Sequence, residues 1–212
     1  MIILGLTGSI GMGKTTAANA FRYLGVPVYD ADLVVHSLME SDGAAVDEVL
    51  KVFPEVAEDG YVNREALGSI VFANTTKLQK LEKILHPYVK KKQYCFLATA
   101  ALKHEPLVVL DVPLLFETGG EQFCDGVVVV SASALIQKKR VLERPGMNNK
   151  RFRIILERQH NNNQKCHSAD FVVQTGLGRW YSLRKINKIV TMTKLWPQHI
   201  WSPSYKKLIY RS

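Results

Sequence analysis

An apolar run at the very start of the chain, Ile2 to Leu6, leads straight into Gly8-Ser9-Ile10-Gly11-Met12-Gly13-Lys14-Thr15, and a helical pattern then runs from Thr15 to Leu24. The stretch satisfies G-x-x-x-x-G-K-[ST] at every position, between a strand and a helix, which is the setting the motif requires. In that setting the glycines let backbone N–H groups turn inward around an anion, and the helix adds its positive dipole end. A glycine-rich turn without a ligand is the simpler alternative, but it does not call for a lysine and a threonine at these positions. The motif therefore predicts a nucleoside triphosphate, with Lys14 at the β- and γ-phosphates and the Thr15 hydroxyl on Mg²⁺. Gly8, Gly11, Met12, Gly13, Lys14, Thr15 and Thr16 are the expected ATP contacts. Neither Asn74 to Leu78 nor Asn187 to Val190 supplies the N/T-K-x-D loop of a guanine-specific GTPase, so adenine is the better choice of base.

Short β-branched runs recur at Val26 to Tyr29, Leu107 to Leu110, Gly126 to Val130 and Phe171 to Val173. Several are apolar throughout, as strands covered on both faces of a parallel sheet tend to be. Helical patterns such as Ala134 to Glu143 lie between them. The alternation predicts an α/β fold, a P-loop NTPase-type parallel sheet flanked by helices. The gap from Asp30 to Leu107 is too long for a simple crossover and reads as a helical insert. Val46, Val49, Leu50 and Phe53 mark one helix face there, and Leu78, Leu81, Leu85 and Val89 another. Asp59-Gly60 signals a turn, and Pro87 is expected to interrupt the second helix.

The chain of 212 residues is 47% hydrophobic and carries a formal charge of +9. From Phe171 onward there are eight basic residues and no acid, so the C-terminal part holds +8 of that charge. The rest is nearly balanced, unlike the continuous basic groove of a dedicated nucleic-acid binder. An anionic small substrate or a solvated tail accounts for the charge. No stretch reaches the ~18 apolar residues of a membrane helix. Cys95, Cys124 and Cys166 are odd in number and widely spaced, which argues against a disulfide framework and matches no zinc spacing. These features predict a cytoplasmic protein without a membrane or nucleic-acid partner; the expected assembly is a monomer or small homo-oligomer.

Two carboxylates end predicted strands. Asp32, in "VPVYDADLVVHSL", stands at the sheet edge beside the P-loop, where a carboxylate could orient an acceptor hydroxyl and take its proton. Its alternative role is to cap a helix starting near Leu33. Asp111 closes "VVLD" and suits support of Mg²⁺, directly or through water, or else a strand-end cap. The arginine-rich excursion Ala134 to Lys165 breaks at Pro145-Gly146 and reads as a mobile lid. Arg140 and Arg144 are four apart and are expected on one helix face. Only one or two of Arg140, Arg144, Arg151, Arg153 and Arg158 are expected to reach phosphate.

The P-loop, the D-A-D at 30 to 32, His86-Pro87, the D-V-P-L-L-F-E at 111 to 117 and the arginine lid together resemble the dephospho-CoA kinase family, from Met1 to about residue 190. The resemblance implies transfer of the ATP γ-phosphate to the ribose 3′-hydroxyl of dephospho-CoA with Mg²⁺, the last step of coenzyme A synthesis. It implies a nucleotide core (1–32, 106–133, 168–190), a substrate insert (33–105) and a lid (134–165); the basic aromatic tail at 191–212 has no counterpart in that resemblance. By position, Asp32 becomes the base, Lys14 a catalytic phosphate contact and Arg140 a lid contact to ATP, with Arg144 beside it. Asp111, Leu114, Leu115 and Glu117 fall in the motif where both substrates meet. His86 is a substrate-side candidate, although a packed or capping histidine is the simpler reading of the residue; Arg64 lies in a similarly family-like stretch. The chain departs from the family at His160-Asn161, where Met-Pro is frequent after Gln159, and beyond residue 190. One alternative is another P-loop small-molecule kinase. A second is a single-stranded nucleic-acid binder stacking bases on Trp196, Trp201 and Tyr205.

Overall fold

The structure, a computed structural model, describes residues 1–72, 74–197 and 201. Tyr205 and most of the tail beyond Pro197 lie outside the described residues. Among the described residues the chain divides into two compact units, Met1–Tyr29 with 99–197 and 201, and Asp30–Ala98.

The first unit is built on a five-stranded sheet: β1 (Ile2–Thr7), β2 (Val28–Asp30), β5 (Leu107–Asp111), β6 (Gly126–Ser131) and β7 (Phe171–Gln174) in the order β2-β5-β1-β6-β7. β1 pairs in parallel with β5 and β6, and β6 with β7. Each of the five apolar runs forms a strand, and β1, β5 and β6 are buried along their whole length. That follows from a parallel sheet covered on both faces. Alternate residues Ile2, Leu4 and Leu6, Leu107 and Val109, and Val128 and Val130 share one face. They pack with Ala17, Ala18 and Phe21 of α1 (Lys14–Tyr23) and Ile186, Ile189 and Val190 of α9 (Arg179–Thr193). Beyond α9, Trp196 stacks on Phe171 with ring centroids 5.5 Å apart. One of the three rings offered for base stacking is thus committed to packing.

The second unit contains α2 (Ala31–Leu38), α3 (Val46–Val52), the hairpin β3 (Ala57–Glu58) and β4 (Tyr61–Val62), α4 (Arg64–Phe72) and most of α5 (Thr75–Leu102). Its core gathers Leu38, Val46, Val49, Phe53, Val62, Leu67, Leu81 and Leu85, which includes both predicted apolar faces. Asp59 and Gly60 both have positive φ, 39° and 86°, as the two-residue turn of a tight hairpin demands. Pro87 does not end the helix as expected: α5 runs through it. Pro87 is exposed, and Leu81 and Leu85 before it and Tyr88 and Val89 after it belong to one core. Continuous packing on the far side thus outweighs one lost backbone bond.

The predicted lid forms three helices in the first unit, α6 (Ala134–Leu142), α7 (Asn149–Glu157) and α8 (Asn162–His167). α6 ends at Leu142, so Arg144 lies past the helix in an exposed turn. The expected shared helix face with Arg140 is not formed, because Pro145 and the positive φ of Gly146 (70°) turn the chain there.

Candidate active site

β1 delivers the chain into the loop from Gly8 to Lys14, which must turn back sharply to start α1. A Cβ on Gly8 would strike the side chain of Val130 and come within 2.9 Å of its carbonyl oxygen, so β6 leaves room only for glycine. Gly13, the N-cap of α1, has φ 89°, and a Cβ there would sit 2.9 Å from the Thr175 hydroxyl. α1 has no side-chain cap and no acid in its first turn. Its positive end is therefore left to whatever anion the loop receives. Thr15 and Thr16 are exposed at this end, and Gly11 and Met12 are buried behind it.

The loop is held from behind by side chains of the lid and of the turn after β7. The Thr175 hydroxyl donates to the Met12 carbonyl at 2.6 Å and accepts from Arg140 Nη1 at 3.1 Å. Arg140 also donates to the Thr175 carbonyl at 3.0 Å and to that of Gly11 at 3.5 Å. Gln137 donates to the Ile10 carbonyl at 2.8 Å, and the Ile10 amide donates to Gln159 Oε1 at 3.0 Å. Arg140 is thus fastened to the P-loop backbone, an arrangement the family resemblance did not supply. Gln137, Gln159 and Thr175 were missed by sequence reasoning. Two glutamines and one threonine carry no local signal, and their partners lie far away in sequence.

On the other side of β1, Asp111 ends β5. It is 1% exposed, and its Oδ1 lies 2.8 Å from Lys14 Nζ. In the following loop the Thr7 hydroxyl donates to the Pro113 carbonyl. Leu115 is buried against Gly5, whereas Leu114 is exposed. Glu117 Oε1 accepts from the His160 amide at 2.7 Å and pairs with Lys165 Nζ at 2.7 Å. Burial pushes the Glu117 carboxyl up, but the Lys165 ammonium and the His160 amide outweigh it and hold the group below the usual carboxylate range.

Asp32 and His86 belong to the second unit. Asp32 is exposed in the first turn of α2 and is not its cap: Asp30 is, accepting from the Leu33 amide at 3.0 Å. The helix starts two residues earlier than expected, which moves the capping position back to Asp30 and leaves Asp32 outside that duty. His86 is exposed on α5, neither packed nor capping, and Arg64 is exposed at the start of α4.

A glycine loop leading from a central parallel strand into an uncapped, lysine-bearing helix, beside a strand that ends in a buried carboxylate, defines a P-loop kinase core. A model of the dephospho-CoA kinase sequence matches residues 2–177, and the chain belongs to that family. A dephospho-CoA kinase of Rhodospirillum rubrum is 49% identical over 195 residues, which cover 91% of this chain and 92% of the relative. A crystal structure from Thermus thermophilus matches with a TM-score of 0.77 at 31% identity, over 92% of this chain and 98% of the other. The dephospho-CoA kinase of Campylobacter jejuni shares the fold, with a TM-score of 0.62 at 20% identity over 90% and 96% of the two chains.

Proposed function

We propose that this chain transfers the γ-phosphoryl group of ATP to the ribose 3′-hydroxyl of dephospho-CoA, forming coenzyme A and ADP. The observation that carries the reading is the family match, which extends over residues 2–177 and so takes in the P-loop, the insert and the lid segment together. Phosphoryl transfer asks little covalent chemistry of a protein and much positioning and charge stabilisation. The uncapped end of α1 and the loop Gly8 to Lys14 bind the phosphates, with Gly11, Met12, Gly13, Thr15 and Thr16 around them. Lys14 supplies a cation to the transferring group. Asp111, buried beside it, holds the Lys14 side chain in place through the 2.8 Å contact.

The Thr15 hydroxyl and the Asp111 carboxylate are hard oxygen donors of the kind Mg²⁺ takes. An ion that keeps several waters and phosphate oxygens needs no more from the protein. Bound there, Mg²⁺ would neutralise charge on the β- and γ-phosphates. Asp32 accepts the proton of the 3′-hydroxyl as that oxygen attacks, a task its exposed place in the first turn of α2 permits. Arg140, fastened to Gly11 and Thr175, fixes the loop and brings positive charge to its rear. Arg144, exposed beyond α6, is free to swing to the nucleotide. Leu114 and, in the insert, His86 are each exposed and are the substrate-side contacts of this reading, while Leu115 and Glu117 hold the motif loop in shape. Among the described residues no helix is long and apolar enough to cross a membrane, and Cys95, Cys124 and Cys166 form no disulfide; we place the chain in the cytoplasm.

The test is an ADP-release assay with ATP and Mg²⁺, run with dephospho-CoA beside a panel of nucleosides, nucleoside monophosphates and shikimate. Turnover confined to dephospho-CoA supports the reading. Turnover with another acceptor and none with dephospho-CoA overturns it.

A further inference from the structure

Lys165 is a lysine with a side chain 0% exposed, which is unusual for a residue whose charge favours water. It sits in α8, whose start is fixed by a capping box: the Asn161 side chain accepts from the helix backbone and Gln164 reaches back to the Asn161 amide. The helix is thereby set so that Lys165 points inward onto Glu117 Oε1 at 2.7 Å. Taking an ammonium out of water is costly even after relaxation and is offset only by a well-placed counter-charge. Glu117 is the counter-charge that the fold sets against it.

The same Glu117 oxygen accepts the His160 amide at 2.7 Å. One residue back, Gln159 Oε1 accepts the Ile10 amide in the middle of the P-loop, while Gln137 takes the Ile10 carbonyl. Both backbone groups of Ile10 are therefore held by side chains, which fixes the peptide planes on either side of it. The linkage runs without a gap from Lys165 to Glu117, to the His160 amide, to Gln159 and to Ile10. We propose that Lys165 is a positioning residue for nucleotide binding, fixing the P-loop at Ile10 through Glu117, His160 and Gln159. The proposal rests on the P-loop reading above and names a determinant of that site beyond its phosphate contacts.

The experiment measures ADP dissociation constants by calorimetry for the full chain, Lys165→Met, Gln159→Ala and the double variant, each at a temperature where it is folded. Each single change should weaken ADP binding about tenfold, the worth of one or two hydrogen bonds at the loop. Because both act on one strut, the double variant should bind no more weakly than the weaker single variant. The proposal is overturned if folded Lys165→Met binds ADP within about twofold of wild type, or if the two effects multiply as independent sites do. Should Lys165→Met not fold, Gln159→Ala decides alone. That residue is half-buried and outside the core clusters, and wild-type ADP binding there overturns the strut. A wrong acceptor assignment shows differently, as a wild-type chain that binds ADP normally yet forms no coenzyme A.

Discussion

The ammonium of Lys14, in the first turn of α1, lies 2.8 Å from Oδ1 of Asp111 at the end of β5, and the two strands that deliver them, β1 and β5, are neighbours in the sheet. The pair holds the cation at the start of α1, where the glycine loop ends. Replacing Lys14 with alanine removes the charge that would meet the transferring phosphoryl group. The turnover number should fall by at least about 100-fold, the usual cost of one charge-stabilising donor. Steady-state kinetics at saturating ATP would check this, and near-wild-type turnover would contradict the role given to Lys14.

Thr175 is the hub behind the loop, donating to Met12 and accepting from Arg140. Thr175→Val keeps the shape and leaves a buried carbonyl and a guanidinium without that partner. The variant should lose about 1–3 kcal/mol of stability. Its KM for ATP should rise more than its KM for dephospho-CoA, because the hydroxyl braces the P-loop and the arginine fastened to it. Thermal melts and paired KM determinations would test this, and equal rises in both KM values would argue against a nucleotide-side effect.

Asp30 and not Asp32 caps α2, so Asp32→Asn keeps that cap and should still give a cooperatively folding chain. If Asp32 is the base, turnover should drop by about 100-fold or more while ADP binding persists. A large loss of stability with normal specific activity would instead restore a structural role.

The strands and the P-loop were legible because each depends on local signals: apolar runs of strand length, glycines at fixed spacing, a lysine and a threonine in register. The strand order β2-β5-β1-β6-β7 was not, since parallel neighbours are chosen by long-range pairing. Pro87 misled because an exposed proline was weighed by its local penalty and not against the packing on the opposite side of α5. Asp32 and Asp30 exchanged the capping role because helix starts are uncertain by a residue or two. Lys165 gave no signal at all: one lysine among many basic residues reads as solvated until Glu117 is seen against it.

The Glu117 carboxyl, held below its ordinary value of 4.5 despite burial, ties stability to pH. A depressed carboxyl contributes stability that is fully present above the unfolded value and is lost as pH falls through the lower folded one. Denaturant unfolding of wild type and Glu117→Gln should therefore show a stability difference that is constant above about pH 5 and shrinks on acidification below 4.5. A difference that grows on acidification would mean that Lys165 does not stabilise the charged form.

The most direct measurement is identification of the product formed from ATP, Mg²⁺ and dephospho-CoA, by mass and by phosphorus NMR of the ribose phosphate. The account predicts coenzyme A carrying the new phosphate on the 3′-oxygen, with one ADP released per coenzyme A. ADP release without any phosphorylated dephospho-CoA, or phosphate on a different hydroxyl, would contradict it.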